Sequence, residues 1–440
     1  MKLGLWLATA ALVLITLGCK EEIDDQTIAQ GAALQAVNPT PVKRNFLENN
    51  LHHKVIVAVI DSGTDYNHPQ LVNNMHFNLN EQNQPVGLGY DFIGQDYWPS
   101  PYVARTLDIN PDADQKDVPA VKNARERATE LSKSYPQLAQ YLNPLRNVEQ
   151  EMESGAFHGT HVSGLMVYDD PRIGLLPFRV LPINIKYKNG REDVSQDKTA
   201  LVFNNILQAM RMAVKAGARV INMSLALKGS TPGDSLLNLF EDTNKKTKLW
   251  MAQIKDFMDK NPNVVFVAAA GNDSKWVDDK TNLQLPCGIA AKNLVCVGAL
   301  DKTGNLAYFS NLVLSQAAFV AASGVDIDSS RPALMCDTNF LTNLKNEKNA
   351  YPFDRPESVS YAINDAVKDC VGKPPVRKAS GTSMASPMVA RVVARLIIDN
   401  LQFSGEQIIK LLLDNSEKVQ LGPLLLNKVK TDKPSWTKSN

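Results

Sequence analysis

Residues 54–63 read KVIVAVIDSG, a run of apolar residues that ends at an aspartate and a turn. A run that is apolar at every position predicts a strand buried on both faces, as in parallel sheets. Similar runs alternate along the chain with patterns of helical spacing. The runs cover 219–225, 263–270, 293–300 and 317–322, and the helical patterns cover 200–217 and 239–261. This alternation predicts an α/β fold, a mostly parallel sheet with helices on both faces.

Composition places few limits on function. The chain has 440 residues, of which 44% are hydrophobic and 21% are charged, as in ordinary core-forming proteins. Its formal net charge is +1, which gives no indication of a nucleic-acid partner. We therefore expect no nucleic-acid binding, and we expect a monomer.

A second informative stretch is GTSMASPMVARVVARLIIDN, residues 381–400, which has helical spacing and hydroxyl side chains in its first turn. One interpretation is that these hydroxyls cap the helix. The other is that Ser383 is a nucleophile, held where the free N–H groups and the helix dipole stabilise negative charge. A nucleophilic serine needs a base, usually histidine, and His158 and His161 lie together in FHGTHVSGLMV, residues 157–167.

Two further polar residues follow buried strands. Asp61 ends the first run, at the carboxyl end of a strand, where ligand sites of open α/β sheets collect. Asn272 follows VVFVAAAG and could donate its side-chain N–H to an oxyanion, together with the backbone N–H of Ser383. The alternative for both residues is a role in forming turns.

Taken together, these segments resemble the motifs of subtilisin-like serine proteases, the subtilases, over roughly residues 54–401. The motifs are Asp61-Ser62-Gly63, His158-Gly159-Thr160-His161-Val162-Ser163-Gly164 and Gly381-Thr382-Ser383-Met384-Ala385-Ser386-Pro387. Their order of Asp, His and Ser differs from that of chymotrypsin-like proteases and α/β-hydrolases. An esterase of the α/β-hydrolase type is also disfavoured because the serine does not lie in G-x-S-x-G.

The resemblance implies a serine endopeptidase that cleaves polypeptides through an acyl-enzyme. By position in the motifs, Ser383 would attack the peptide carbonyl and His158 would accept and deliver the proton. Asp61 would orient His158, Asn272 would bind the oxyanion, and His161 would be a structural neighbour. The substrate contacts implied are Ser224, Leu225 and Ala226 in an edge strand, and Ala269, Ala270 and Gly271 in a pocket wall.

The chain departs from the family pattern in three places. Ala226 stands where the family has glycine, which could narrow the cleft, and Arg391 replaces a small residue, which indicates a different neighbour such as an inserted segment. A charged, proline-punctuated stretch at 94–155 predicts a helical insertion between the Asp and His motifs, with a lid or docking role. Two rival functions therefore stay open: a catalytically silenced peptide-binding protein on a protease scaffold, and an acyl-transfer enzyme that joins peptides.

The N-terminus predicts export. Residues 1–18 have the apolar run of a signal peptide, and Gly18-Cys19 resembles a lipobox in which Cys19 is lipidated. We expect a tether at 19–45, a peptidase domain at 46–425 and a polar tail at 426–440, in a membrane-anchored lipoprotein that faces the periplasm or the cell exterior. The alternative is a plain signal peptide with an unmodified cysteine. The short distance from Cys19 to Asp61 predicts no folding-assistant prodomain.

Four other cysteines allow two disulfides in any of three connectivities. Cys287 and Cys296 flank a short loop, which favours their pairing, whereas a Cys336–Cys370 pair follows only by elimination. No cofactor is required for the implied chemistry. Structural calcium lacks a clear motif, because the acidic run at 111–117 has neither the glycine nor the downstream glutamate of an EF-hand. We therefore predict no metal site.

Overall fold

The structure is a computed structural model. It describes residues 46–66, 68–80, 82, 85–93, 95–101, 157–181, 187–188, 191–192, 198–225, 227–228, 237–277, 284–314, 317–332, 376–421 and 424–431. The predicted leader and tether, most of the 94–155 insertion, Ala226, Cys336 and Cys370 lie outside these ranges. Among the described residues, none of the helices has the length and apolar character needed to cross a membrane.

The described chain alternates between strands and helices. The helices are α1 (Phe46–His52), α2 (Phe157–Val167), α3 (Lys198–Lys215), α4 (Leu237–Lys260), α5 (Thr382–Asp399) and α6 (Gly405–Asp414), with a 3-10 turn at Val72–Asn74. The strands are β1 (Val55–Asp61), β2 (Asn78–Leu79), β3 (Pro85–Gly87), β4 (Tyr90–Asp91), β5 (Ile173–Arg179), β6 (Tyr187–Lys188), β7 (Arg191–Glu192), β8 (Ala218–Met223), β9 (Leu227–Lys228), β10 (Val265–Ala269), β11 (Trp276–Val277), β12 (Gln284–Leu285), β13 (Leu294–Leu300), β14 (Leu312–Val313), β15 (Ala318–Ser323), β16 (Ile327–Ser330), β17 (Val376–Ala379), β18 (Glu417–Leu421) and β19 (Leu424–Lys428).

A nine-stranded sheet forms the centre of the fold, in the order β18-β19-β15-β13-β10-β8-β1-β5-β4. Every neighbouring pair from β19 to β4 is parallel, and only β18 at the edge runs antiparallel to its neighbour. The predicted α/β class with a mostly parallel sheet is therefore confirmed.

Two hydrophobic cores lie on opposite faces of this sheet. In β1, Val55, Val57 and Val59 pack in the core that includes α2, α5 and α6. Ala58 and Ile60, which point the other way, pack in the core that includes α3 and α4. Fully burying one aliphatic side chain of this size contributes about 1.5–3 kcal/mol. Burial on both faces explains why the central strands read as unbroken apolar runs.

The sheet order brings three functional segments together. Strands β10, β8 and β1 are neighbours and parallel, so their carboxyl ends lie at one edge of the sheet. Asp61 ends β1, Ser224 follows β8 and Gly271 follows β10. Helix α5, which begins with Thr382 and Ser383, packs against these same strands. The sheet thus brings residues that are far apart in sequence together in one cleft.

Four strands of the central sheet were absent from the sequence-based prediction: β4, β5, β18 and β19. Strand β5 contains Pro177, which has no backbone N–H to donate. The proline is tolerated because β4 pairs only with Phe178 and Arg179 of β5. Strand β19 pairs with β15, and its Leu426 is fully buried. The sheet therefore continues past residue 425, where the sequence placed the end of the domain.

Candidate active site

Asp61 and His158 form a hydrogen-bonded pair in which the aspartate is buried. His158, the second residue of α2, donates from Nδ1 to the Asp61 carboxylate, at 2.8 Å from Oδ1 and 3.0 Å from Oδ2. The backbone N–H of Ser62 donates to the same Oδ1 at 2.7 Å. The Asp61 side chain is 1% exposed and that of His158 is 24% exposed, so the imidazole faces the cleft while its partner is sealed behind it.

The carboxylate controls the protonation of this histidine. Burial lowers the pKa of His158, but the charge of Asp61 and its hydrogen bond to the ring raise it by more, so the pKa lies above the usual value of 6.5. The hydrogen bond at Nδ1 also fixes the tautomer in which Nε2 is free to accept a proton. The pair therefore has the properties of an oriented general base.

Glycines bring the aspartate loop and the start of α2 into direct contact. A Cβ at Gly159 would overlap the carbonyl oxygen of Gly63, so a larger residue cannot occupy that position. Gly63 itself has a φ of +98°, and a Cβ there would lie 2.7 Å from the carbonyl oxygen of Ser100. The N–H of Gly159 donates to Ser62 Oγ at 3.1 Å. Residues 62–63, 100 and 159 are therefore packed backbone to backbone behind the pair.

Further hydrogen bonds join the same two segments. The hydroxyls of Thr64 and Ser163 lie 2.8 Å apart, and the N–H of Asp65 donates to Thr160 Oγ1 at 2.9 Å. All four residues are buried. The glycines and hydroxyls near Asp61 and His158 in sequence thus fix the position of one side chain relative to the other.

Ser383 is the second residue of α5 and does not cap it. The N-cap is Gly381, which makes no side-chain capping bond. Helix α6 shows the alternative, because its N-cap Ser404 accepts the N–H of Gln407 in a capping box. The interpretation in which Ser383 caps α5 is therefore wrong.

The Ser383 side chain is bound to the segment that follows β8. Its hydroxyl donates to the carbonyl oxygen of Ser224 at 3.0 Å, and Ser224 Oγ donates back to the carbonyl oxygen of Ser383 at 3.0 Å. Asn222 Nδ2 donates to Ser224 Oγ at 2.9 Å, and Ser386 Oγ donates to Asn222 Oδ1 at 2.8 Å. This buried network fixes the start of α5 over the end of β8.

Asn272 presents its amide N–H₂ to the cleft. Its Oδ1 accepts from the N–H of Thr382 at 2.9 Å and from Thr382 Oγ1 at 3.0 Å. Thr382 Oγ1 in turn accepts from the N–H of Gly271 at 3.0 Å. Because Thr382 donates two hydrogen bonds to the amide oxygen of Asn272, the amide nitrogen points away from Thr382. Asn272 is exposed, in keeping with a donor that faces a substrate.

The remaining histidines lie outside this arrangement. His161 is fully buried, donates from Nε2 to the carbonyl oxygens of Ile327 and Arg377 at 3.2 and 3.1 Å, and has its pKa lowered by burial to about 3. Its geometry is that of a neutral structural residue. At the opposite end of the sheet, before β1 and by the start of β5, His53 and His76 lie with their Nδ1 atoms 3.2 Å apart, and burial lowers the pKa of each to about 4.

A pocket of about 150 Å³ opens beside Ser383. Its lining residues are Leu225, Ala269, Gly271, Asn272, Asp273, Gln284, Thr382 and Ser383. Most of the substrate-contact residues implied by the sequence thus line one pocket or adjoin it. Ala270 lies behind the wall, where its carbonyl oxygen accepts from Asn311 Nδ2 at 3.0 Å. Ala226 and Cys19 lie outside the described residues.

Sequence reasoning missed part of this pocket. Gln284 and Asp273, which line the pocket, and Asn311, which donates to Gln284, carry no motif and come from three separate segments of the chain. The only signal for Gln284 is a single polar residue in the apolar run LQLPC that leads to Cys287. A disulfide joins Cys287 to Cys296 and ties this segment to β13.

No metal-binding group can be identified in the described part of the chain: it contains no cluster of three or more His, Cys, Asp or Glu side chains able to hold an ion. The acidic run at 111–117 lies outside that part. Arg391, the unusual residue of α5, is buried with its guanidinium 5.5 Å from the ring centroid of Tyr168.

Comparisons with known proteins agree with the motifs. The profile of the Subtilase family, peptidase S8, matches residues 52–432. A thermophilic serine proteinase from Bacillus sp. (strain AK1) is 26% identical over 278 residues, which cover 62% of this chain and 44% of the relative. The chain thus spans less than half the length of that curated relative.

Solved structures of proteases are also similar. The crystal structure of a lanthipeptide protease shares 18% identity, with a TM-score of 0.49 and 92% of each chain covered. That of a cold adapted subtilisin-like serine proteinase shares 17% identity, with a TM-score of 0.47, 91% of this chain and 97% of that chain covered.

Proposed function

The chain belongs to the subtilase family, and we propose that it is a serine endopeptidase whose catalytic residues are Asp61, His158 and Ser383. The observation that carries the proposal is the Asp61–His158 hydrogen bond of 2.8 Å at the sheet edge where Ser383 begins α5. Asn272, with its amide oxygen bound to Thr382, supplies the oxyanion donor. Each group has one chemical task, and together they meet the needs of acyl transfer.

In the acylation step, the Ser383 hydroxyl turns from the Ser224 carbonyl to His158. His158 Nε2 removes the hydroxyl proton as Oγ attacks the peptide carbonyl carbon, and the carbonyl oxygen becomes negatively charged. Asn272 Nδ2 and the backbone N–H of Ser383 donate to that oxygen. Asp61 stabilises the imidazolium that forms. His158 then gives the proton to the amide nitrogen, the C–N bond breaks, and an ester to Ser383 remains.

Water completes the reaction by the same route in reverse. His158 removes a proton from water, the resulting hydroxide attacks the ester carbon, and the oxyanion occupies the same donors. The proton returns to Ser383 Oγ as the ester bond breaks. The carboxylic acid product leaves, and the enzyme regains its starting protonation state.

The substrate would lie along the segment after β8. Ser224 and Leu225 follow β8, and Leu225 lines the cleft, so their backbone groups would pair with those of an extended peptide. We place this activity outside the cytoplasm, on a monomer anchored to a membrane through lipidated Cys19. That placement rests on the sequence of residues 1–19 alone.

The experiment that tests the function is labelling of the purified protein with a fluorophosphonate, followed by mass spectrometry and by hydrolysis of a denatured protein substrate. We expect the label on Ser383 and none in Ser383→Ala or His158→Ala. Ser404→Ala is the matched control, because Ser404 also begins a helix but only caps it. That variant should keep the label while losing about 1 kcal/mol of stability.

The outcomes separate this proposal from its rivals. Peptides that bind to folded protein without being cleaved or labelled would identify a silenced binding protein and refute the protease. Peptide joining with an added amine, in place of hydrolysis, would identify an acyl-transfer enzyme. Hydrolysis that persists in Ser383→Ala would refute the assignment of the nucleophile.

A further inference from the structure

One buried amide in the pocket beside Ser383 has no task in the mechanism above. Gln284 lines this pocket and is 2% exposed. A Cβ at Gly271, which also lines the pocket, would overlap Gln284 Nε2 and would approach Asn311 Nδ2 to 2.5 Å. The amide of Gln284 is therefore packed between Gly271 and Asn311, next to the pocket.

Hydrogen bonds to Asn311 identify which end of this amide is the oxygen and which is the nitrogen. The backbone N–H groups of Asp273 and Lys275 both donate to Asn311 Oδ1, each at 2.9 Å. The nitrogen of Asn311 must then point the other way, where it donates to the carbonyl of Ala270 and to Gln284 Oε1, each at 3.0 Å. Because the oxygen of Gln284 is an acceptor in this chain of bonds, its nitrogen is the remaining end.

The nitrogen of Gln284 is a buried donor that lacks an acceptor among the described residues. Leaving such a group unsatisfied costs about 1–3 kcal/mol, so buried amides normally have partners. A side chain of the substrate that enters the pocket and carries an acceptor oxygen would remove this cost. The pocket thus favours an acceptor over a purely apolar group of equal size.

The position of Gln284 is fixed by its neighbours. Strand β12, Gln284–Leu285, pairs with β9, Leu227–Lys228, which continues the segment of Ser224. Two residues after β12, Cys287 is joined by the disulfide to Cys296 in the central strand β13. A donor held on both sides in this way selects by geometry, since it cannot move to suit a different side chain.

A carboxylate in the same pocket limits the charge of that side chain. Asp273 follows Asn272 and is among the lining residues. A second carboxylate in a pocket of about 150 Å³ would be repelled by Asp273. An uncharged carbonyl oxygen avoids this repulsion and still accepts from Gln284.

We propose that Gln284 is a specificity-determining residue that selects glutamine or asparagine immediately before the cleaved bond. The inference rests on the proposed protease function. Gln284 Nε2 donates to the side-chain carbonyl oxygen of that substrate residue, Asn311 holds Gln284 in the required orientation, and Asp273 excludes glutamate and aspartate.

The test compares peptides that differ only in the residue before the cleaved bond: glutamine, norleucine of similar length, glutamate and phenylalanine. We expect kcat/KM for glutamine to exceed that for norleucine by about 10- to 100-fold, the value of one buried donor that gains its partner. In Gln284→Met the ratio should fall to within threefold of unity. Gln253→Met, the same change at an exposed site on α4, should leave the ratio as in the wild type.

A second variant, Gln284→Glu, tests the inference even if Gln284→Met does not fold. Gln284→Glu keeps an oxygen for Asn311 and replaces the donor by an acceptor, so the preference should move from glutamine to lysine. Equal rates for glutamine and norleucine in the wild type, a preference for phenylalanine, or a glutamine preference that survives in Gln284→Met would each overturn the inference.

A binding measurement separates this inference from the protease function. Peptides that end in glutamine or norleucine, which resemble the released product, would be titrated calorimetrically into Ser383→Ala. At least tenfold tighter binding of the glutamine peptide supports the role of Gln284 even if fluorophosphonate labelling of the wild type fails. Equal binding refutes it even if labelling succeeds.

Discussion

Replacing Asn272 gives the sharpest test of the oxyanion site, because the two ends of its amide have different tasks. Oδ1 accepts from the N–H and hydroxyl of Thr382, and Nδ2 faces the cleft. Asn272→Ala removes both ends. Asn272→Asp keeps an oxygen for Thr382 and puts a negative charge where the donor stood. The two variants therefore separate support of the helix start from stabilisation of the transition state.

The magnitudes follow from these contacts. Loss of one oxyanion donor costs about 10² to 10³ in kcat, or roughly 2.7–4 kcal/mol. KM should stay within threefold, because the oxyanion exists only after attack. For stability, Asn272→Ala removes the acceptor of two hydrogen bonds from Thr382, which is fully buried, so a loss of about 1–3 kcal/mol is expected. Asn272→Asp should unfold within a degree or two of the wild type.

The assay is steady-state hydrolysis of one peptide at saturating and limiting concentrations, with thermal unfolding of each variant in parallel. We expect Asn272→Asp to be at least as inactive as Asn272→Ala although it is more stable. Asn415→Ala is the matched control, because Asn415 is exposed and its amide bonds to the Leu411 carbonyl at the end of α6. A kcat within threefold of the wild type in both Asn272 variants would refute the oxyanion assignment.

Two pH-dependent predictions follow from the histidines. Asp61→Asn should lower the pKa of His158, moving the acid limb of the pH–activity profile to lower pH, while kcat falls by up to about 10⁴ as the tautomer is lost. Separately, burial lowers the pKa of His53 and His76 to about 4, so the folded form binds fewer protons than the unfolded chain between that pH and about 6.5. Their contribution to stability is complete above 6.5 and is lost as pH falls towards 4, by about 1.4 kcal/mol per pH unit for each proton, measurable by urea unfolding.

Each of these has a clear contrary result. An acid limb that stays in place in Asp61→Asn would mean that the carboxylate does not set the protonation of His158. For the second pair, His76→Asn should flatten the fall in stability between pH 6.5 and 4, while His52→Asn, on the exposed neighbour, should not. Equal slopes in the two variants would contradict the role of burial.

The sequence predicted the centre of the fold because both faces of the sheet are buried. Strands such as β1 and β10 must be apolar at every position, which few other structures require. Strand β5 escaped the prediction because Pro177 interrupts its pattern, and only its place beside the two-residue strand β4 explains how proline fits there. Strand β19, LLLNK, was missed because only its first three residues are apolar.

The candidate site was predictable where glycine and hydroxyl residues surround a reactive side chain. Only glycine fits at position 159, because a Cβ there would overlap the carbonyl oxygen of Gly63, so this packing is visible in the motif itself. No sequence motif marks the part of the pocket formed by Gln284 and its partner Asn311. Gln284 and Asn311 meet through tertiary structure alone, and the orientation of each amide depends on backbone N–H groups that no sequence pattern reveals.

The close packing of Gly63 against both Ser100 and Gly159 bears on how the protein could be engineered. Residues 101 and 157 are the described residues on either side of 102–156, and because they adjoin that contact they lie close together beside the Asp61–His158 pair. Loop-closure entropy grows only slowly with length, so a folded module with neighbouring termini placed between residues 101 and 157 should cost little closure entropy. A ligand-binding module grafted there would strain or relax its two attachment points as it opens and closes. Proteolysis could then be turned on and off by a chosen small molecule.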